Sequence, residues 1–246
     1  MRETANGTGI PMKTLAKWLI LPLILAAGLA FAETNEEAGI PKYYGKELCH
    51  YKGFTCKAVK KGDTWAKRFP NARERELVKR LNRTNMALSY RKWIVVPDDL
   101  KNLDLMDLSP FPAKVNPPGN KLIVINLKVH AFGAYDPEGN LVHWGPVSGG
   151  HDWCDDINGP CNTKSGSFKI IDRQGEKCKS SAFPVETSGG APMPYCMHFY
   201  RGFALHASNE LPGFHASHGC LRLFFEDAKW LNKEFVTVGT LVIVMR

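Results

Sequence analysis

Cysteine placement sets the first limit on what this chain can fold into. The 246 residues contain seven cysteines. Cys49 stands close to Cys56, Cys154 close to Cys161, and Cys178 close to Cys196, while Cys220 is left over. Six cysteines admit about 15 pairings, and proximity selects Cys49 with Cys56, Cys154 with Cys161, and Cys178 with Cys196 as the expected bridges. The first would staple the entrance to an N-terminal unit too small to bury a large core unaided. The other two would stiffen loops further along. Metal ligation is the competing use of such cysteines, but no C-x-x-C spacing occurs. Cys220 must then stay a free thiol in an oxidising compartment.

The first 32 residues supply that compartment's address. Lys13 and Lys17 form a basic region, an apolar run extends from Trp18 to Phe31, and Ala30-Phe31-Ala32 reads as a small-x-small cleavage site. This is the layout of a secretory signal peptide over residues 1–32. An uncleaved anchor is the alternative, yet the run is shorter than the ~18–20 apolar residues of a spanning helix. The expected location is outside the cytoplasm, in the periplasm or cell wall. Any membrane attachment would run through this segment alone, since the mean hydropathy of −0.24 excludes a multi-pass protein. The net charge of +8 falls to +6 once Arg2, Lys13, Lys17 and Glu3 are removed. A basic exported protein suits an anionic wall or membrane surface. The basic residues are scattered without a recognition motif, so nucleic acid is not an expected partner.

Three regions follow. Residues 43–100 read as a small βααβ unit: a strand at Lys57-Ala58-Val59, a helix from Trp65 capped by Asp63 or Thr64, a helix from about Arg73 to Asn82, and a closing strand at Trp93-Ile94-Val95-Val96-Pro97. Residues 101–119 carry Pro110, Pro112, Pro117 and Pro118 and predict an extended linker. Residues 120–246 show short strands between Gly, Asn and Asp turns, with one helical stretch from Glu226 to Phe235. The first of these strands starts at Lys121 and is expected to continue through His130 to Tyr135, before a hairpin turn at 136–140. The pattern predicts a mainly-β sandwich or barrel with one C-terminal helix.

The chemistry concentrates in Ser217-His218-Gly219-Cys220-Leu221-Arg222, with His206 and His215 upstream. A thiol is a nucleophile only as thiolate, and an imidazole within reach can take its proton. Glycine before the cysteine permits a tight turn, whose backbone N–H groups can hold an oxyanion. Arg222, two residues on, shares a strand face with Cys220 and suits a carboxylate. Two other readings stay open on these residues: a buried structural cysteine, and a zinc site from His215, His218 and Cys220.

The segment resembles the signature of L,D-transpeptidase (YkuD-type) catalytic domains. The likeness extends over residues 120–246 through Val147-Ser148-Gly149-Gly150, Thr163-Lys164-Ser165-Gly166-Ser167-Phe168, Met193-Pro194-Tyr195 and Gly239-Thr240-Leu241-Val242. It implies Cys220 as nucleophile and His206 as general base and acid, with the Ala207 carbonyl orienting the imidazole. Ser217 and His218 would line the site, the N–H groups around Gly219 and Cys220 would hold the oxyanion, and Arg222 would meet a substrate carboxylate. The implied substrates are peptidoglycan stem peptides, with no metal or organic cofactor. The thioester would pass to an amine, giving a cross-link or attaching a protein to the wall, or to water, giving a carboxypeptidase or a hydrolase that releases wall protein. Ala207 and Lys164 depart from the family's usual glycine and proline. Residues 57–97 resemble a LysM glycan-binding module in Val59-Lys60-Lys61-Gly62-Asp63-Thr64-Trp65, Arg80-Leu81-Asn82-Arg83 and Ile94-Val95-Val96-Pro97. Tyr90-Arg91-Lys92 stands where such modules usually place a glycine. The whole arrangement is similar to that of bacterial enhanced entry proteins, which leaves a non-catalytic wall-binding or host-interaction protein as a further alternative.

Overall fold

In the N-terminal unit, local sequence signals set the boundaries of the elements. A computed structural model describes residues 44–246, so the expected signal peptide lies outside the described residues. A 3-10 turn, Gly45–His50, precedes β1 (Phe54–Ala58), and a Cys49 to Cys56 bridge joins the two. Helix α1 (Trp65–Arg68) begins where Thr64 Oγ1 accepts a hydrogen bond from the Lys67 N–H at 3.2 Å. Helix α2 (Ala72–Leu81) is capped in the same way by Asn71, which accepts from the Glu74 N–H at 3.1 Å. β2 (Trp93–Pro97) pairs antiparallel with β1. Leu77, Val78 and Leu81 are buried, as are Ile94, Val95 and Val96 on β2. Asn82 ties helix to strand. Its amide donates to the Val78 and Val95 carbonyls at 2.8 and 2.7 Å, and its Oδ1 accepts from the Val95 N–H at 2.8 Å.

Residues 120–246 form a nine-stranded sheet. Its strands are β3 (Leu122–Asn126), β4 (Ala131–Tyr135), β5 (Leu141–Ser148), β6 (Gly166–Lys169), β7 (Asp172–Arg173), β8 (Met197–Tyr200), β9 (Phe203–Ala207), β10 (Leu221–Leu223) and β11 (Leu241–Met245). Their order across the sheet is β6-β11-β3-β4-β5-β10-β9-β8-β7. The sheet curls until β6 meets β8: Phe168 lies 5.4 Å from Phe199 and 5.1 Å from Tyr200, ring centroid to centroid. The architecture is therefore mainly β, as expected, with the two sandwich layers made from one curled sheet. The strand expected to continue past His130 instead reverses there. His130 takes φ 50°, and β4 runs back antiparallel to β3. The apolar run hides the turn, because Val129 and Ala131 beside it are also buried. Helix α3 (Phe225–Trp230) passes into a π-turn, Leu231–Phe235.

The apolar run of β3 is buried on both faces. Successive side chains of a strand alternate between faces. Ile123 and Ile125 join the core inside the curl, with Phe132, Leu205 and Leu223. Leu122 and Val124 join a second core with Leu77, Val78, Leu81 and Ile94 of the N-terminal unit. That unit thus shares its core with the sheet, and residues 44–246 all belong to one compact unit. The proline-rich stretch packs against the β4–β5 hairpin, whose strands lie in the middle of the sheet. Tyr135 Oη donates to the Pro112 carbonyl at 3.0 Å, the Leu141 N–H to Ala113 at 2.8 Å, and the Val115 N–H to Gly139 at 2.8 Å.

One ion pair crosses the shared core. Arg80 of α2 donates to both Asp227 carboxylate oxygens, at 2.9 and 2.8 Å, and His143 Nε2 lies 2.8 Å from Oδ1. Asp227 is 1% exposed. A side chain at Gly145 would place its Cβ 2.3 Å from the same carboxylate, so the backbone approach depends on glycine. In the first turn of α3, Asp227 has this guanidinium as its main partner. Removing one partner of a buried pair strands the other charge, at a cost of about 3–5 kcal/mol. Asp227→Ala is expected to lower stability by about that amount, read from urea unfolding midpoints. A loss under about 1 kcal/mol would contradict this account of the seam.

Candidate active site

β9 and β10 pair in parallel, with Leu221 opposite Leu205 and Arg222 opposite His206. Cys220 immediately precedes β10, so the strand pairing brings the thiol and His206 onto neighbouring strands. The turn before Cys220 is closed by its own polar groups. Ser217 Oγ donates to the Cys220 carbonyl at 2.5 Å and accepts from the Gly219 N–H at 3.1 Å. Thr163 Oγ1 donates to the Gly219 carbonyl at 2.8 Å and accepts from the Gly150 N–H at 2.9 Å. Gly219 has φ 115°, and a Cβ there would fall 2.5 Å from the Phe203 ring. Both the backbone angle and the contact require glycine. One expectation changes as a result. The Gly219 N–H is already bonded to Ser217, so of the two expected donors it is not the one open to an oxyanion. Ser217, 3% exposed, clamps the turn and also lines the groove.

His206 is 6% exposed. Its Nδ1 lies 2.9 Å from the Ala207 carbonyl. A carbonyl only accepts, so Nδ1 carries the proton and Nε2 keeps its lone pair. Burial pushes its pKa down to about 4, against the Ala207 hydrogen bond, and the Arg222 charge pushes the same way as burial. Burial likewise raises the Cys220 thiol. At neutral pH the resting pair is therefore a neutral thiol and a neutral imidazole.

Cys220, His206, His218 and Arg222 open on one groove of about 820 Å³. Arg222 is half-buried and reaches Glu210, with 3.7 Å between guanidinium and carboxylate. Two bridged loops stand beside the groove, closed by Cys154 to Cys161 and by Cys178 to Cys196. His218 Nε2 lies 2.8 Å from Asp156 within the first of these loops. Its ring packs on Phe183 of the second, 4.4 Å between centroids. His215 points elsewhere: its Nδ1 accepts from the Gly149 N–H at 3.0 Å and its ring lies 4.2 Å from that of His130. The proposed zinc set of His215, His218 and Cys220 therefore does not converge. Among the described residues the metal-type atoms that do gather are those of Cys154, Asp156 and His218. The Cys154 sulfur is bonded to Cys161, so that group offers no thiolate.

Several groove residues carry no sequence motif, notably Asp172, Phe183, His198 and Glu210, and neither does Asp156, the partner of His218. They come from loops and short strands. The segment between His206 and Cys220 is also held by the N-terminal unit. Asn85 accepts from the Leu211 N–H at 2.9 Å and donates to the Ser208 carbonyl at 2.7 Å. Arg91 donates to the Pro212 carbonyl at 2.8 Å, and Tyr44 Oη to that of Gly213.

Residues 120–244 match the YkuD family, the L,D-transpeptidase catalytic domain. None of the curated proteins matches the chain. Among solved structures, the L,D-transpeptidase from Xylanimonas cellulosilytica is 21% identical with a TM-score of 0.51, covering 63% of this chain and 73% of that one. An L,D-transpeptidase from Mycobacterium smegmatis is 20% identical with a TM-score of 0.43, covering 52% and 59%. One from Mycobacterium tuberculosis is 23% identical with a TM-score of 0.41, covering 51% and 57%. At these identities the likeness is one of fold, and it rests on the first of the three.

The depressed pKa of His206 has a consequence for stability. The unfolded imidazole takes a proton near pH 6.5, while the folded one stays neutral until about pH 4. The unfolded state therefore binds more protons in that window, and stability falls as pH falls from 6.5 towards 4. His206→Gln is expected to flatten the curve there by up to about 1.4 kcal/mol per pH unit, measured by urea unfolding across pH. An unchanged slope would show that His206 titrates normally in the folded protein.

Proposed function

Because this chain belongs to the YkuD family of L,D-transpeptidase catalytic domains, we propose that it is a peptidoglycan L,D-transpeptidase working through a Cys220 thioester. The observation that carries the reading is one groove holding a free cysteine and a buried imidazole whose Nε2 is unprotonated. His206 Nε2 takes the thiol proton as the sulfur attacks the carbonyl of an L-centre in the donor stem. The Cys220 N–H meets the developing oxyanion. The imidazolium then protonates the leaving D-amino acid, and the thioester passes to an acceptor amine. The neutral resting pair means that proton and charge move only when a substrate drives them. The Ala207 carbonyl holds the productive tautomer of His206, Arg222 receives a donor carboxylate, and His218 borders the donor's path.

The remaining parts of the chain fit a wall enzyme. Residues 1–32 would direct export to the periplasm or cell wall, an oxidising setting that suits the three bridges. In the described residues no helix is long and apolar enough to cross a membrane. Residues 43–100 form the LysM-like glycan-binding module, residues 101–119 connect it, and residues 120–246 are the catalytic domain. Glycan binding next to the groove would raise the local concentration of stem peptides.

Incubating the purified protein with disaccharide-tetrapeptide should give cross-linked dimers and released D-alanine, with Cys220→Ala inactive. Monomeric tripeptide as the only product would instead identify a carboxypeptidase. A carbapenem should add one covalent adduct to intact protein, at Cys220. His206→Ala should slow acylation by about 10²–10⁴-fold. Folded protein that takes up no adduct would overturn the enzymatic reading in favour of a wall-binding protein.

A further inference from the structure

A second histidine–carboxylate pair faces the same groove. β7, β8, β9 and β10 are neighbours in the sheet. Asp172 pairs with His198, His198 with Ala204, and Leu221 with Leu205, which sets Cys220 beside Ala204. Residues paired across strands share a face, so Asp172, His198, Ala204 and Cys220 make one row across the sheet. His206, two residues beyond Ala204, lies on that face as well. His198 Nδ1 is 2.6 Å from Asp172 Oδ1. The carboxylate accepts, so Nδ1 carries a proton and Nε2 is the nitrogen left for the groove. His198 and Asp172 both line that groove.

Spacing decides what this pair can do. Two strand separations, roughly 10 Å, lie between the backbones of His198 and Cys220. Parallel side chains at that distance do not meet, so His198 does not deprotonate the thiol. Ala204 between them is buried against Cys178, Met193 and Cys196, so a second reactant would reach a thioester on Cys220 through the groove that His198 and Cys220 both line. The reaction needs a group at that place. An acceptor amine arrives as an ammonium ion and must lose a proton before it can attack.

We propose that His198, oriented by Asp172, is the general base for the acyl acceptor, a primary amine. This rests on the transpeptidase reading above. His198 Nε2 takes one proton from the ammonium, and Asp172 stabilises the resulting imidazolium. The free amine attacks the thioester carbonyl, the C–N bond forms and the C–S bond breaks. The second nitrogen proton passes through His206 to the departing Cys220 thiolate, and His198 returns its proton to solvent. The two imidazoles thus divide the half-reactions: His206 serves the thiol, His198 the amine.

The test separates the half-reactions in the full chain. Carbapenem acylation of Cys220, followed by intact mass, reads the first. Exchange of a tetrapeptide's terminal residue for a free D-amino acid reads the second. His198→Gln is expected to lower amine transfer by about a hundredfold and acylation by less than about threefold. Asp172→Asn, at a half-exposed edge position, should show the same split in milder form. The transfer deficit should shrink at pH 9.5, where more of the acceptor is already free amine. The charged and titratable groups that line the groove with His198 in that comparison are Asp172, Lys179, Arg201, His206, Glu210, His218, Cys220 and Arg222. Equal losses in both half-reactions, or unimpaired transfer in both variants, would overturn the assignment and leave the pair as a pin for the two-residue strand β7. Wild-type protein that is acylated but does not transfer to amines also overturns it. Wild-type protein that is never acylated overturns the transpeptidase reading itself, and the assignment falls with it.

Discussion

The parallel pairing of β9 with β10 is the constraint on which the site depends. It sets Arg222 opposite His206 and brings Cys220 alongside. A parallel pair needs a crossover of a dozen or more residues, usually a helix that supplies its own hydrogen bonds. Here residues 208–220 cross without one, so their backbone groups need partners from elsewhere. Asn85, Arg91 and Tyr44 provide them from one side. From the other side Ser148 Oγ donates to the Phe214 carbonyl at 2.7 Å, and the Gly149 carbonyl accepts from Ala216 and Ser217. The N-terminal unit is thus part of the scaffold for the reactive turn, and its shared core and the Arg80–Asp227 pair hold it against the sheet.

Burial shapes the electrostatics in two opposite ways. At the seam, Arg80 and Asp227 are both charged and satisfy each other. Arg83 is buried with no carboxylate partner among the described residues. It donates to the Val129 and Arg80 carbonyls at 3.0 and 2.7 Å and lies 4.9 Å over the Trp144 ring, while burial lowers its pKa to about 10. In the groove, burial keeps Cys220 and His206 neutral. A preformed thiolate would invite oxidation in the compartment that forms the bridges. The neutral pair protects the one thiol left free.

Local signals were the readable ones. Thr64 and the Leu77-Val78-Leu81 face identify their helices because capping and amphipathic period act within a turn or two. The three cysteine couples were visible because each bridge closes a short loop. Cys220 and His206 were found through a motif. The reversal at His130 was missed because apolar residues flank the turn. β7, β8 and β10, of two to four residues, are too short to carry a period. The partners of Asp227, His218 and His198 were also invisible, since no spacing rule links residues 147, 62 and 26 positions apart.

By itself the sequence determined the pairing of six cysteines, the helix boundaries and the two residues best suited to thiol chemistry. Each follows from forces that act over a few residues or from residue chemistry alone. Only the tertiary structure decided that the Gly219 N–H is taken, that His215 is turned away from Cys220, that the proline stretch is seated on the sheet, and that His198 shares the thiol's face. Those outcomes depend on strand order and curl, which are set by burying both faces of β3 at once.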